Sequence, residues 1–162
     1  MRIGIVGDTH NNLKNVARIV ELFNEAGVAR VIHTGDISQP KTLDAFTRLT
    51  APLYGVFGNN DVGEQHLLSV RALELGFHFV TPPLHLAWHG RNILVVHDPL
   101  EADTFVAPHH DVVIHGHTHL YRHELTDGRL VFNPGECAGH MRGYNAIGVV
   151  DLSDLSTRLL KF

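Results

Sequence analysis

The sequence predicts an α/β protein, and two observations carry that prediction. Short apolar runs alternate with stretches of helical periodicity through the first half of the chain, the pattern of strands and crossover helices in a parallel sheet covered on both faces. Five apolar runs also end, within a residue or two, in side chains that bind metals or protons. Arg2 to Val6 runs into Gly7, Asp8, Thr9 and His10; Val31 and Ile32 into His33, Thr34, Gly35 and Asp36; Tyr54 to Phe57 into Gly58, Asn59, Asn60 and Asp61. Ile93 to Val96 stop at His97 and Asp98, and Val112 to Ile114 at His115, Gly116, His117, Thr118 and His119. Open α/β sheets bind ligands outside the carboxyl ends of their strands, so these loops are expected to assemble one site.

Taken in order, Arg2 to Val6 reads as the first strand. Leu13, Val16, Ala17, Ile19, Val20, Leu22 and Phe23 then recur at helical spacing, and Gly27 supplies a stop. Arg30 to His33 is the second strand, Lys41 to Leu49 a weaker helix, Tyr54 to Phe57 the third strand, and Glu64 to Leu75 a helix ending at Gly76. Beyond Gly76 the runs become short and close: Phe77 to Val80, Leu84 to Trp88, Ile93 to Val96, Val112 to Ile114, Leu120 to Leu125, Leu130 to Phe132, Ala146 to Leu152 and Thr157 to Leu160. Gly90/Arg91, Asp127/Gly128 and Ser153/Asp154 mark hairpin turns. A second, mixed sheet packed on the first, with helices outside, is therefore expected, all within a single domain over residues 1–162.

The chain of 162 residues, 44% hydrophobic and 19% charged, has the composition of a soluble globular protein with its own core. No run approaches the roughly 18 apolar residues of a membrane span. Met1 and Arg2 lead directly into Ile3 to Val6 and Asp8 without the long apolar segment of a secretory signal, so a cytoplasmic location without membrane partners is expected. Cys137 is the single cysteine, which excludes an intrachain disulfide and any cysteine-based zinc site. The net charge is -4, and no Lys/Arg cluster of the kind that tracks a phosphate backbone is present, which argues against extended nucleic acid as a ligand.

Among the 14 histidines, His117 and His119 flank Thr118 and would share one side of an extended segment; Asp8 and His10 repeat that spacing. Asp36 after Gly35 and Asn59 after Gly58 would each read as turn residues in isolation, but their common position at strand ends makes them candidate ligands. His33 and His115 read as packed residues or supports of the neighbouring ligands rather than ligands themselves, and His109, His110, His123 and His140 as surface or loop residues. Trp88, Phe77 and Phe79 read as core, and Arg142 as a solvated arginine with a substrate phosphate as the alternative.

Gly7 to His10 (GDTH), Gly35 and Asp36 (GD), Gly58 to Asp61 (GNND), His97, and Gly116 to His119 (GHTH), in that order, resemble the motifs of the calcineurin-like metallophosphoesterases. Asn133 to Glu136 (NPGE) is similar to the small phosphodiesterase branch often called YfcE-like. The resemblance implies a four-layer αββα sandwich with two divalent cations. Asp8, His10, Asp36 and His119 would hold one, and Asp36, Asn59, His97 and His117 the other, with Asp36 as the bridge. Manganese is the first choice, and iron, cobalt, nickel and zinc also suit this mixture of carboxylate, amide and imidazole. The implied reaction is hydrolysis of a small or cyclic phosphodiester by a hydroxide shared between the cations. A phosphomonoesterase and a non-catalytic protein-binding scaffold are the alternatives on the same fold, and a homo-oligomer is compatible with all three.

Asp36, Asn60 and Asp61 are the candidate catalytic residues. Asn60 stands where many members carry a His that helps the leaving group depart; an amide can donate a hydrogen bond to phosphate but cannot transfer a proton near neutral pH. Asp61 is expected to orient a metal-bound imidazole through its ring N–H, with capping of the following helix as the alternative. Asp98 follows His97 where relatives often have Gly.

Overall fold

Ile3 and Ile5 face one side of the first strand and Val6 the other, and all three are fully buried, as a strand enclosed between helices and a second sheet requires. In the computed structural model, which describes Met1–Phe162 throughout, this strand is β1 (Arg2–Val6). It is followed by α1 (Leu13–Ala26), β2 (Arg30–His33), α2 (Pro40–Ala45), β3 (Leu53–Val56), α3 (Gln65–Glu74), β4 (His78–Val80), β5 (Leu84–Trp88) and β6 (Arg91–Val95). The remainder comprises α4 (Pro99–Phe105), β7 (Val112–Ile114), β8 (Arg122–Thr126), β9 (Arg129–Asn133), β10 (Ala146–Asp151) and β11 (Thr157–Lys161).

Two mixed sheets result. The first has the order β11-β10-β1-β2-β3-β4, with β1 to β4 parallel and β10 antiparallel to both of its neighbours; the second has the order β5-β6-β7-β9-β8, parallel at its centre. Ile3, Ile5, Ile32 and Val56 from the first sheet meet Ile93, Val95, Val112, Ile114, Leu130 and Phe132 from the second in a core between the sheets. On the outer face of the first sheet, Val16, Ile19, Val20 and Phe23 of α1 pack on Val6, Val31, Leu53, Ile147 and Val149. The outer face of the second carries Leu94, Val96 and Val113, against which Ala102 and Val106 pack. The layers are thus helix, sheet, sheet, helix, as expected.

Helix α1 is closed at both ends by local chemistry: the Asn12 side chain accepts from Asn15 N, and Gly27 takes the left-handed conformation at φ 61°. Two elements depart from the sequence expectation. The weak helix begins at Pro40 and ends at Ala45, its remainder continuing as a 3-10 turn over Phe46–Arg48. Helix α4 carries too little periodicity to be read in advance, being 7 residues long with no fully buried side chain, yet the Asp98 carboxylate caps it at Leu100 N and Pro99 opens it. No helix is long and apolar enough to cross a membrane.

Candidate metal centre

Because β1, β2 and β3 are parallel neighbours, their carboxyl ends lie side by side, and backbone hydrogen bonds knit the loops beyond them. Asp8 N donates to Gly35 O at 2.9 Å and His10 N to Asp36 O at 3.0 Å. In the second sheet Gly116 N donates to His97 O at 3.0 Å, joining the loops after the parallel neighbours β6 and β7. Five of the seven expected ligands, Asp8, His10, Asp36, His117 and His119, have positive φ between 40° and 67°. That conformation costs a side-chain-bearing residue of order 1–3 kcal/mol, and such strain concentrates at functional sites, where surrounding contacts overrule it.

The structure brings all seven together. His97 Nε2 lies 2.9 Å from Asn59 Oδ1 and 3.2 Å from His117 Nδ1, which is itself 3.0 Å from Asn59 Oδ1. Asp36 reaches toward both clusters, with Oδ1 3.5 Å from His97 Nε2 and Oδ2 3.4 Å from His10 Nε2. His119 Nε2 is 3.6 Å from Asp8 Oδ1.

The hydrogen bonds show what these atoms lack. Thr34 O can only accept, so the His97 Nδ1 facing it at 2.8 Å carries the ring proton, and Nε2 of the neutral ring turns a lone pair toward the amide oxygen of Asn59. Whenever that ring is neutral, acceptor thus faces acceptor. His10 Nε2 is buried without any hydrogen-bond partner. Such an arrangement demands positive charge at its centre, and carboxylate, imidazole and amide oxygen form a donor set suited to divalent first-row metals.

Without a cation, protons supply part of that charge. Burial pushes the Asp8 carboxyl up to about 6, against the pull of His97 and His119. For His97 burial opposes the charged ring, but the hydrogen bond and charge of Asp36 overcome it and raise the pKa to about 9. Burial also opposes charge on Asp36, yet His97 and Asn60 hold it well below the usual carboxylate range. A cation binds the deprotonated forms, so it competes with both protons below about pH 6 and with the His97 proton up to about pH 9. Manganese affinity is therefore expected to rise across that window, by up to ~tenfold per pH unit for each proton released. Calorimetric titration in buffers of differing ionisation enthalpy measures the release; a flat affinity with no protons released would contradict it.

Asp61 and His110 behave differently from expectation. The Asp61 carboxylate touches no imidazole: it accepts from Asp36 N at 2.9 Å, Ser38 N at 2.6 Å and Gly58 N at 2.7 Å, clamping the loops after β2 and β3 together. Asn60 spends one side-chain hydrogen on Asp36 Oδ2 at 2.8 Å, with its backbone N–H on Oδ1 at 2.9 Å. His110 is not a surface residue but is 4% exposed, stacked on His85 with Nε2 3.1 Å from His85 Nδ1. His33 and His115 are packed, as expected; burial drives His33 down to about 3, and it accepts from Gly35 N through Nδ1 while facing Thr9 Oγ1 through Nε2.

Glu136 and His140 carry no signal in the sequence beyond the NPGE segment. Glu136 Oε2 accepts from His119 Nδ1 at 2.7 Å, and the exposed His140 ring stacks on His119 with centroids 5.6 Å apart. Asp98 Oδ2 is 3.8 Å from His117 Nε2. A cavity of about 690 Å³ between Val106 and the β8–β9 hairpin is lined by none of these groups. Asn59, His97 and His117 instead line one of about 300 Å³ with Val62, Gln65 and Pro82.

Residues 1–155 match the family model of the calcineurin-like phosphoesterase superfamily domain, so the chain belongs to that superfamily of metal-dependent phosphoric ester hydrolases. It is similar to the phosphodiesterase MJ0936 of Methanocaldococcus jannaschii, 34% identical over an alignment that covers 93% of each chain. Among solved structures, an archaeal phosphodiesterase matches the full length of both chains with a TM-score of 0.90 at 32% identity. YfcE, a phosphoesterase from E. coli, matches with a TM-score of 0.71 at 20% identity over 99% of this chain and 98% of its own, a likeness of fold.

Proposed function

We propose that this protein is a phosphodiesterase that binds two divalent cations, manganese foremost, and hydrolyses a small or cyclic phosphodiester. The observation that carries this reading is the meeting of His97 Nε2, His117 Nδ1 and Asn59 Oδ1 within 3.2 Å of one another beside Asp36. Asp8, His10, Asp36 and His119 would hold one cation, and Asp36, Asn59, His97 and His117 the other. Cations there supply Lewis acidity, enough in two-metal sites to ionise water near neutral pH, and positive charge for the nonbridging phosphate oxygens. Asp36 offsets the charge of both positions. The second side-chain hydrogen of Asn60 remains for a phosphate oxygen. The cavity of about 300 Å³, with Val62 and Pro82 in its wall, suits one small ester group.

No imidazole follows Asn59, so that position cannot hand a proton to the departing oxygen. Turnover is therefore expected to depend steeply on leaving-group acidity, with dialkyl phosphates at least ~10²-fold slower than bis-p-nitrophenyl phosphate, the usual worth of a general acid. Steady-state rates on both substrates with manganese test this. Equal rates would remove the role given to Asn60, and aryl diester turnover surviving exhaustive chelation would remove the cations.

A further inference from the structure

Resting on that two-cation reading, we propose that Glu136 is a positioning residue: it fixes the tautomer and direction of His119 and makes the position formed by Asp8, His10, Asp36 and His119 the tighter of the two. Glu136 is 1% exposed, and Oε2 lies 2.7 Å from His119 Nδ1. A carboxylate only accepts, so Nδ1 keeps its proton and Nε2 presents a lone pair toward Asp8 Oδ1, 3.6 Å away. The other oxygen, Oε1, accepts the backbone N–H groups of His140 and Met141, which stops the carboxylate from rotating.

The second position has no equivalent. His97 is held by the neutral carbonyl of Thr34, and the only carboxylate near His117 Nε2 is Asp98, at 3.8 Å. The first position therefore combines two carboxylates with two imidazoles, one of them made more basic by a buried anion, whereas the second combines Asp36 with an amide oxygen and two imidazoles. His140, stacked on His119, does not convert Glu136 and His119 into a separate cation site, because the Nδ1 proton occupies the line between them.

Glu136→Gln inverts this arrangement with little change of volume. The two backbone donors keep the amide oxygen at the Oε1 position, so the NH₂ group faces His119 Nδ1 and pushes the ring proton onto Nε2. Manganese titration of the metal-stripped full chain, by calorimetry and with cobalt absorbance as a second readout, is expected to show two steps in the wild type. Glu136→Gln should weaken the first by roughly 10- to 100-fold and leave the second in place; His117→Ala should do the reverse. In a His119→Ala background Glu136→Gln should change nothing further, whereas a merely structural role would persist there. Glu136→Asp, which keeps the charge, should recover part of the first step and covers the case in which Gln does not fold. A first step unchanged in Glu136→Gln, an additive loss in the His119→Ala background, or an Asp variant no better than Gln would overturn the proposal. Wild-type protein that takes up no manganese at all would overturn the two-cation reading with it, which sets that failure apart from the others.

Discussion

Asp36→Asn is expected to lower kcat/KM for bis-p-nitrophenyl phosphate by about 10³-fold or more at saturating manganese. Asp36 stands between the two donor clusters, 3.4 Å from His10 Nε2 and 3.5 Å from His97 Nε2. Removing its charge would weaken both proposed cation positions at once, and metal stabilisation of transition-state charge is worth several kcal/mol, ~4 kcal/mol corresponding to about 10³ in rate. The fold should survive. Asp36 sits at φ 59°, a left-handed conformation that Asn tolerates as well as Asp does, and the amide keeps one acceptor for the two Asn60 donors. Leaving the other donor unmatched costs about 1–3 kcal/mol of stability. Circular dichroism of the variant should match the wild type; a folded, manganese-loaded variant within tenfold of wild-type activity would refute the assignment of Asp36.

Gly58→Ala is expected to disable the same centre through packing alone. A Cβ at Gly58 would fall 2.2 Å from Asp36 Oδ1, 2.6 Å from Asp36 N and 2.8 Å from His97 Cε1, distances no carbon tolerates. The backbone there is extended at φ -104°, so the objection is space and not conformation. Relief requires the loop after β3 to move away from the loop after β2, which breaks the Asp61 clamp on Asp36 N and Ser38 N. Overpacking of this kind costs about 3 kcal/mol, or ~6–12 °C in Tm for a chain of this size. Manganese affinity should fall with it. Gly63→Ala, where nothing lies within 4 Å of the added carbon, is the control and should melt close to wild type. Equal Tm and equal manganese affinity in the two variants would mean that the loops are looser than described.

The strands, the first and third helices and the seven converging donors were legible because each has a local signature. Buried strands are runs such as Ile3 to Val6, helix faces are spacings such as Val16, Ile19, Val20 and Phe23, and Asp8, His10, Asp36, Asn59, His97, His117 and His119 all lie just beyond apolar runs. The resemblance to the phosphoesterases drew on the same motifs, which is why the layered fold and the family were foreseen. Helix α4 escaped because 7 residues with no fully buried side chain leave no periodic trace.

By itself, then, the sequence determined which segments become strands and which side chains stand at their ends, since both follow from contacts between near neighbours along the chain. Tertiary structure alone decided the partner of each polar atom. That Asp61 binds the N–H groups of Asp36 and Ser38 instead of an imidazole, that Glu136 meets His119, and that His110 lies buried against His85 all depend on which loops lie side by side. Strand order and the packing of one sheet on the other set those meetings, and a carboxylate bonds whichever donors the fold brings within about 3 Å.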